Sequence, residues 1–480
     1  MAEQEITLII HGYSDCSESF VGIKEILKRN AIPATTVYYA DYESREDNLT
    51  FNDIIDGLND QLIKLGLINR DGTRRYHFNV IVHSTGGLVI RHWIWRYYSD
   101  RIDKCPIKRL IMLAPANFGS PLAARGKSFL GKLFKGRWKI GDFLEVGRQI
   151  LDGLELASPY QWDLTHKDLL IPYSYYNGGQ IQTTVLVGIK DYDGLRGWIN
   201  KPGTDGTVVI SGTPLSTVKL LLDFSLPKNE DGTYTPAEWE FSRSACEFAF
   251  GVLPDLNHGT IVDMAGIADN QASRLMLNAL RVTTREEFNA WRNELDQVTE
   301  QTYNAAKKPR YQQFVLHTID DQGMGIDDYS VEFFVFRASR AAKNIVEHSD
   351  FDEDEKLKGP ELKYSNMANS SICKEFIKNS SDGSFRRFLV DPDQVLSILD
   401  MAKKEMNEDV VLSMKVYVDE VDDKIGYDNE EIQKIVLHNT GEEIGKYKPS
   451  LFYPNTTTFI ELKVNRFNDY VVVGLDQRRH

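Results

Sequence analysis

The chain has 480 residues, of which 42% are hydrophobic and 26% charged, so it is long enough for two globular domains. Its net charge of -14 argues against broad binding of nucleic acid. The four cysteines are too few and too scattered for a disulfide framework, and the lack of a Cys-x-x-Cys pair argues against structural zinc.

The first residues show no basic segment followed by a long apolar run, as a signal peptide would. No stretch approaches eighteen consecutive apolar residues, the length that would span a bilayer. We therefore expect the protein to be cytoplasmic, or exported without a cleaved signal peptide.

Short apolar runs alternate with amphipathic segments in the first part of the chain. The apolar runs predict buried strands at 6–10, 35–39, 78–82, 110–114 and 183–189. Helical spacing predicts helices at 20–27, 54–63 and 86–98. This alternation predicts an α/β fold with a mainly parallel sheet covered on both faces. A less regular helical stretch at 150–172 suggests an insertion above the sheet.

A polar helix is predicted at 286–304. From about residue 311 the sequence pattern changes to short β-rich runs separated by polar loops. The β-rich runs beyond it lie at 314–317, 331–336, 388–390, 410–418, 435–437, 457–464 and 470–473. They predict a separate β-sandwich-like domain, and its polar stretch 365–384 is expected to be mobile. The predicted organisation is a first domain at 1–283 with a lid region at about 122–180, a connecting helix at 284–309, and the β-rich domain at 310–480.

The strongest local signal is Val-Ile-Val-His-Ser-Thr-Gly-Gly-Leu at positions 80–88. It places Ser84 at a sharp turn between a buried strand and a helix, where small neighbours let the two elements approach. Val82 stands where this nucleophile elbow usually has its first glycine. The helix N-terminus and the Thr85 N–H are suited to stabilise an oxyanion. The alternative is a structural turn whose serine only caps the helix.

Three segments resemble the lipase and esterase branch of the α/β-hydrolases, and in particular bacterial lipases and lecithin–cholesterol acyltransferase-like enzymes. The segments are 83–87, 113–121 with its Gly-Ser-Pro run, and 204–209 with Asp-Gly-Thr-Val. The resemblance covers residues 6 to about 282 and implies the α/β-hydrolase fold. It implies that Asp205 is the acid of a catalytic triad, and that the His-Gly turn after the first strand gives the second oxyanion N–H, on Tyr13.

The acid and the base have alternatives. Asp191 and Asp193 lie nearer the end of the preceding strand, and Asp205 itself could simply make a turn ahead of glycine. His258 is the one histidine between Asp205 and His317, which predicts that it is the base. The alternative for His258 is a solvated loop histidine.

Three other histidines are interpreted as packing or structural residues. They are His83, His92 and His166, of which His83 adjoins the predicted nucleophile.

No acidic residue lies between Asp103 and Asp142, although the chain as a whole is acidic. Within this interval, segment 125–139 combines basic and aromatic residues: Arg125, Lys127, Phe129, Lys132, Phe134, Lys135, Arg137, Trp138 and Lys139. In the implied fold it enters the lid region, where it would suit docking on an anionic membrane. An ordinary solvated lid helix is the equal alternative.

The C-terminal domain could bind a membrane, a protein partner or an export system, as in leaderless bacterial phospholipase effectors. Four aspartates near a Gly-rich turn, Asp320, Asp321, Asp327 and Asp328, match no EF-hand spacing, which favours a solvated loop over a calcium site. No cofactor and no metal are expected.

These patterns predict a serine hydrolase with the triad Ser84, Asp205 and His258 and with oxyanion donors on Tyr13 and Thr85, acting on an ester of a lipid-like substrate. A lipid acyltransferase and a small-ester esterase share its acyl-enzyme and remain alternatives. A non-catalytic scaffold with a C-terminal interaction domain is the alternative from another class.

Overall fold

The structure of the protein is a computed structural model. It describes residues 5–10, 20–37, 49–125, 148–193, 200–225, 238–340, 359–372, 374–419, 425–427, 435–441 and 451–468. The chain forms two compact units. The first unit comprises Met1–Thr217, Arg243–Tyr311 and Asn455–Thr457. The second unit comprises Val218–Ser242, Gln312–Pro454 and Thr458–His480.

A six-stranded sheet, parallel throughout, organises the first unit. Its strands are β1 (Ile6–Ile10), β2 (Ala34–Val37), β3 (Phe78–His83), β4 (Ile107–Leu113), β5 (Gln182–Gly188) and β8 (Phe248–Leu253), in the order β2-β1-β3-β4-β5-β8. Every residue of β3 and β5 is buried, as expected of strands covered on both faces. The predicted mainly parallel sheet is confirmed.

Eight helices accompany this sheet among the described residues. They are α1 (Val21–Arg29), α2 (Phe51–Lys64), α3 (Gly86–Tyr98), α4 (Arg148–Leu154), α5 (Pro159–Asp168), α6 (Thr260–Ala265), α7 (Gln271–Arg281) and α8 (Arg285–Ala306). The helix predicted at 286–304 is confirmed as α8. It begins with a capping box between Thr284 and Glu287 and ends at Lys307, whose backbone is left-handed.

The second unit combines sheets with helices, two of which lie wholly among the described residues. Its remaining strands are β6 (Thr217–Phe224), β7 (Glu238–Arg243), β9 (Gln312–Asp320), β10 (Tyr329–Arg337), β11 (Lys374–Lys378), β12 (Phe385–Val390), β13 (Val410–Val418), β14 (Ile425–Tyr427), β15 (Ile435–Asn439), β16 (Thr457–Val464) and β17 (Arg466–Asn468). They form sheets ordered β11-β12-β9-β16-β6-β7, β10-β13-β15 and β14-β17. Helices α9 (Pro360–Ile372) and α10 (Pro392–Met406) contribute to the same apolar core.

Two features of the second unit differ from the sequence prediction. The stretch 365–384, expected to be mobile, contains most of α9 and all of β11. The helix forms because Tyr364, Ala368 and Ile372 recur every four residues and are buried on one face. The residues of β6 and β7, which were not predicted as strands, lie within the domain drawn at 1–283; the structure places β6 beside β16 in the six-stranded sheet of the second unit.

No helix among the described residues is long and apolar enough to cross a membrane.

Candidate active site

Ser84 lies at the turn between β3 and α3. Its φ of 53° is in the left-handed region, where a residue with a side chain is strained. A Cβ at Gly86 would lie 3.1 Å from Cβ of Val82, and one at Gly87 only 2.7 Å from Cβ of Pro115. The close approach therefore falls on positions 86 and 87, which explains why valine is accommodated at position 82. This turn has the geometry of a nucleophile elbow.

A chain of hydrogen bonds joins Ser84, His258 and Asp205. Ser84 Oγ lies 3.1 Å from His258 Nε2, and His258 Nδ1 lies 3.0 Å from Asp205 Oδ2. All three residues are buried, with exposed fractions of 4%, 1% and 0%. Because an aspartate carboxylate can only accept, Nδ1 carries the proton and Nε2 accepts from the serine hydroxyl. This is the arrangement that a general base requires.

The two carboxylate oxygens of Asp205 have separate partners. Oδ2 faces His258, whereas Oδ1 accepts the N–H groups of Thr207 at 3.0 Å and Val208 at 2.8 Å. The turn continues through Gly206, whose φ of 95° suits glycine and whose position packs closely against the ring of Tyr192. The Asx-type turn and the bond to His258, posed as alternatives by the sequence, are thus both present.

The rival aspartates have other partners. Asp191 pairs with Lys308 at 2.6 Å, and the exposed Asp193 pairs with Lys190 at 2.8 Å.

The loop that carries His258 is held by short-range bonds. The His258 N–H donates to the Asp205 carbonyl at 3.0 Å. Asn257 and Thr260 bond to each other in both directions, at 2.8 and 3.0 Å, and α6 begins at Thr260. The sequence Asn-His-Gly-Thr therefore forms a tight turn that presents the imidazole toward β3.

Comparison with known proteins finds likeness in structure only. No protein-family model matches the sequence, and no curated protein matches it. Among solved structures, phospholipase PlaB from Legionella pneumophila superposes with a TM-score of 0.74 at 24% identity, covering 99% of this chain and 97% of PlaB. PlaB in complex with thio-NAD gives a TM-score of 0.75 at 23% identity, with the same coverage. Since identity is this low, the likeness is one of fold.

The chain has the α/β-hydrolase fold. The parallel sheet, the strained serine between β3 and α3, and a likeness that extends over almost the whole chain agree on it. The fold expected from the three sequence segments is confirmed.

In an α/β-hydrolase fold the oxyanion donors lie beside the elbow. Thr85 is the N-cap of α3 and is buried, so its N–H belongs to the first turn, where helix N–H groups have no intrahelical partner. Tyr13, predicted as the second donor, lies outside the described residues. Residues 126–147, which include almost all of the basic segment 125–139, also lie outside the described residues.

The structure gives His83 a bond that the sequence analysis missed. Its Nε2 lies 3.0 Å from the backbone oxygen of His258, within the buried site. His92 instead faces the Tyr160 hydroxyl at 2.9 Å, and burial lowers its pKa to about 4. His166 bonds to the Trp162 carbonyl within α5. Only the position of His83, next to the nucleophile, could have signalled its contact with the base.

A buried ion pair supports the loop behind the elbow. Arg91 binds both oxygens of Asp168, at 2.8 and 2.9 Å, and donates to the Asn117 carbonyl at 3.1 Å. Ala116, next to Asn117, donates its N–H to the Ser84 carbonyl at 2.9 Å. The sequence signal was one arginine among the apolar residues of α3, which are buried along most of its length.

Metal ligands are not grouped in the described part of the chain: no cluster of three or more His, Cys, Asp or Glu side chains could hold an ion there. Asp320 accepts the N–H groups of Gln322 and Met324 and pairs with Arg466 at 3.2 Å. Its oxygens therefore serve a turn and an ion pair.

Proposed function

We propose that this protein is a serine hydrolase that cleaves carboxylic ester bonds of lipid-like substrates, of the lipase or phospholipase type. The hydrogen-bonded chain from Asp205 through His258 to the strained Ser84 carries the proposal. Ser84 Oγ attacks the ester carbonyl carbon while His258 Nε2 takes its proton, and Asp205 stabilises the imidazolium. The tetrahedral intermediate then collapses, and His258 protonates the departing alcohol.

The second half-reaction uses the same groups. Water enters where the alcohol left, gives a proton to His258 and attacks the acyl carbon, and the protonated base returns that proton to Ser84 Oγ. The oxyanion of each intermediate accepts the N–H of Thr85 and, by the resemblance, that of Tyr13. The positive end of α3 adds to this stabilisation.

The lipid class of the substrate has two supports. The fold is that of a phospholipase over 99% of this chain. The segment 125–139 combines lysine and arginine with Phe129, Phe134 and Trp138, a pattern suited to an anionic lipid surface.

Intact-mass analysis after fluorophosphonate treatment tests the nucleophile. The wild type should gain one adduct and Ser84→Ala none, and only the wild type should release fatty acid from phospholipid vesicles. Ser211→Ala, which changes another buried serine of the first unit, is the matched control and should label like the wild type. An adduct on Ser84→Ala, or none on the wild type in detergent and with vesicles, would reject the serine hydrolase.

Sedimentation with liposomes tests the surface segment. Replacing Lys127, Lys132 and Lys135 by glutamine should weaken binding to vesicles rich in anionic lipid and leave binding to neutral vesicles unchanged. The control replaces the exposed lysines Lys24, Lys28 and Lys64 on α1 and α2. Equal losses in both triple variants would mean that net charge, and not this segment, governs binding.

A further inference from the structure

His83 and Ser84 are consecutive residues that contact opposite ends of the same histidine. Ser84 Oγ meets the imidazole Nε2 of His258 at 3.1 Å, while His83 Nε2 meets the backbone oxygen of His258 at 3.0 Å. His83 ends β3 and is 3% exposed, so its ring is fixed by the strand that also sets the position of the nucleophile.

The direction of the His83 bond follows from its acceptor. A backbone carbonyl cannot donate, so Nε2 of His83 must carry a proton. A hydrogen bond buried from water keeps more of its electrostatic strength than an exposed one.

Two bonds of His258, from its backbone N–H and from Nδ1–H, both end on Asp205, at 3.0 Å in each case. The bond from His83 holds a different atom, the backbone oxygen, and comes from a different element, the strand that ends at Ser84. Loss of this bond leaves the attachment to Asp205 in place and removes one that ties the base to the strand of the nucleophile.

We propose that His83 is a positioning residue that sets the distance between the base and the nucleophile by holding the His258 carbonyl. The proposal rests on the hydrolase function proposed above, because it concerns how well His258 accepts the Ser84 proton. A displacement of about 1 Å in a reacting group can lower a rate on the order of 100-fold. Loss of the His83 donor should therefore lower kcat and leave KM almost unchanged.

Packing is the competing role for His83. Its ring lies 4.7 Å from the His258 ring, centroid to centroid, and 6.2 Å from that of Phe20. The two roles need different atoms: packing needs the ring, and positioning needs the N–H donor.

Two substitutions separate these roles. His83→Phe keeps an aromatic ring and has no donor, whereas His83→Gln keeps an N–H donor at a similar reach and has no ring. We expect His83→Phe to lower kcat about 10- to 100-fold and His83→Gln to stay within about threefold of the wild type. The matched control is His166→Phe, which removes another histidine bonded to a backbone carbonyl, at 2.8 Å, and should stay within about twofold.

The pH profile of kcat/KM gives a second readout. Loss of the His83 donor leaves the bond between His258 and Asp205 in place, so the carboxylate still stabilises the imidazolium. The acidic limb should therefore stay in place in both variants, while the plateau of kcat/KM falls in His83→Phe alone. If urea unfolding shows that His83→Phe does not fold, His83→Met, which also lacks a donor, takes its place.

The opposite ranking of the variants, or an acidic limb that moves in the donor-free variant, would overturn the positioning role. Ser84→Ala distinguishes failure of the underlying function. If Ser84→Ala still hydrolyses phospholipid, the hydrolase proposal itself fails, whatever the His83 variants do.

Discussion

At the scale of single residues, Asp205 performs two structural tasks with two oxygens. Oδ1 fixes the turn through Thr207 and Val208, and Oδ2 faces His258. A substitution that keeps one oxygen as an acceptor should therefore preserve the turn and remove the interaction with the base. Asparagine has this property, since its carbonyl oxygen can accept both N–H groups while its NH₂ faces the imidazole.

We predict that Asp205→Asn lowers kcat by about 10⁴ while the protein remains folded. The NH₂ group cannot accept from Nδ1–H, so His258 is driven to the tautomer that cannot take the serine proton. Steady-state hydrolysis of a soluble ester and urea unfolding measure the two effects. Asp191→Asn, at the rival aspartate, should keep wild-type kcat; a comparable loss there would contradict the assignment.

His92 gives a prediction about stability and pH. Its pKa is lowered to about 4, mainly because burial disfavours the charged ring. A histidine in the unfolded chain has a pKa of about 6.5, so between these values the unfolded state binds more protons. The contribution of neutral His92 to the free energy of unfolding is therefore fully present above about pH 6.5 and is lost as pH falls toward 4. The free energy of unfolding decreases by up to about 3 kcal/mol over this range, and screening by water reduces this value.

Comparison with His92→Gln isolates this contribution. The difference in free energy of unfolding between wild type and variant, measured in urea from pH 7 to pH 4.5, should shift in favour of the variant as pH falls. Other groups titrate in both proteins and cancel. A difference that stays constant with pH would show that His92 does not titrate as described.

At the scale of elements, the sequence predicted those strands and helices whose formation depends on residues close together in the chain. Five of the six strands of the parallel sheet were predicted from their own apolar runs, and β8 was missed. Helix α3 follows β3 through the two glycines that its packing requires. Ser84 was predicted from the elbow motif, Asp205 from the resemblance to lipases and esterases, and His258 because it is the one histidine between Asp205 and His317. The bond from His83 had no such signature, because it depends on where the carbonyl of a residue 175 positions away lies.

The ion pair between α3 and α5 gives a prediction at this scale. Arg91 and Asp168 are both fully buried, so removing either one leaves an uncompensated charge. We expect Arg91→Met or Asp168→Asn to cost about 3–5 kcal/mol in free energy of unfolding. The double variant Arg91→Met/Asp168→Asn should cost less than the sum of the two single variants, since it buries no lone charge.

The exposed pair Arg96–Asp56 is the matched control on α3 and α2. Its side chains are 38% and 48% exposed, so breaking it should cost no more than about 1 kcal/mol. Urea unfolding of the wild type, the two single variants, the double variant and Arg96→Met gives the comparison. Additive costs at Arg91 and Asp168 would mean that the two side chains contribute independently.

At the scale of the whole molecule, the second unit is assembled from three separate stretches of chain. One of them, Val218–Ser242, is inserted between parts of the first unit. Its strand β6 lies beside β16, which comes far later in the sequence. No local pattern could show this pairing, and the sequence analysis therefore placed the insertion in the first domain.

The insertion predicts how the first unit, apart from its short stretch Asn455–Thr457, can be isolated. A chain that ends at Tyr311 but retains 218–242 lacks β16, the neighbour of β6 on one side, and keeps β7 on the other. Its residues Leu220 and Leu222, buried in the complete protein, would then be exposed beside an unpaired strand edge, and we expect aggregation. Removing 218–242 as well should avoid this exposure.

The chain itself supplies the place to rejoin. Thr217 and Ser244 are bonded to each other, N–H to Oγ at 3.1 Å and O to N–H at 2.9 Å, so a linker of about four residues can replace the insertion. We predict that this shortened 1–311 chain is monomeric by size-exclusion chromatography with light scattering and unfolds cooperatively in urea. The version that retains 218–242 is its control. If that version is equally monomeric and equally cooperative, β6 does not depend on the later strands, and the insertion belongs to the first unit after all.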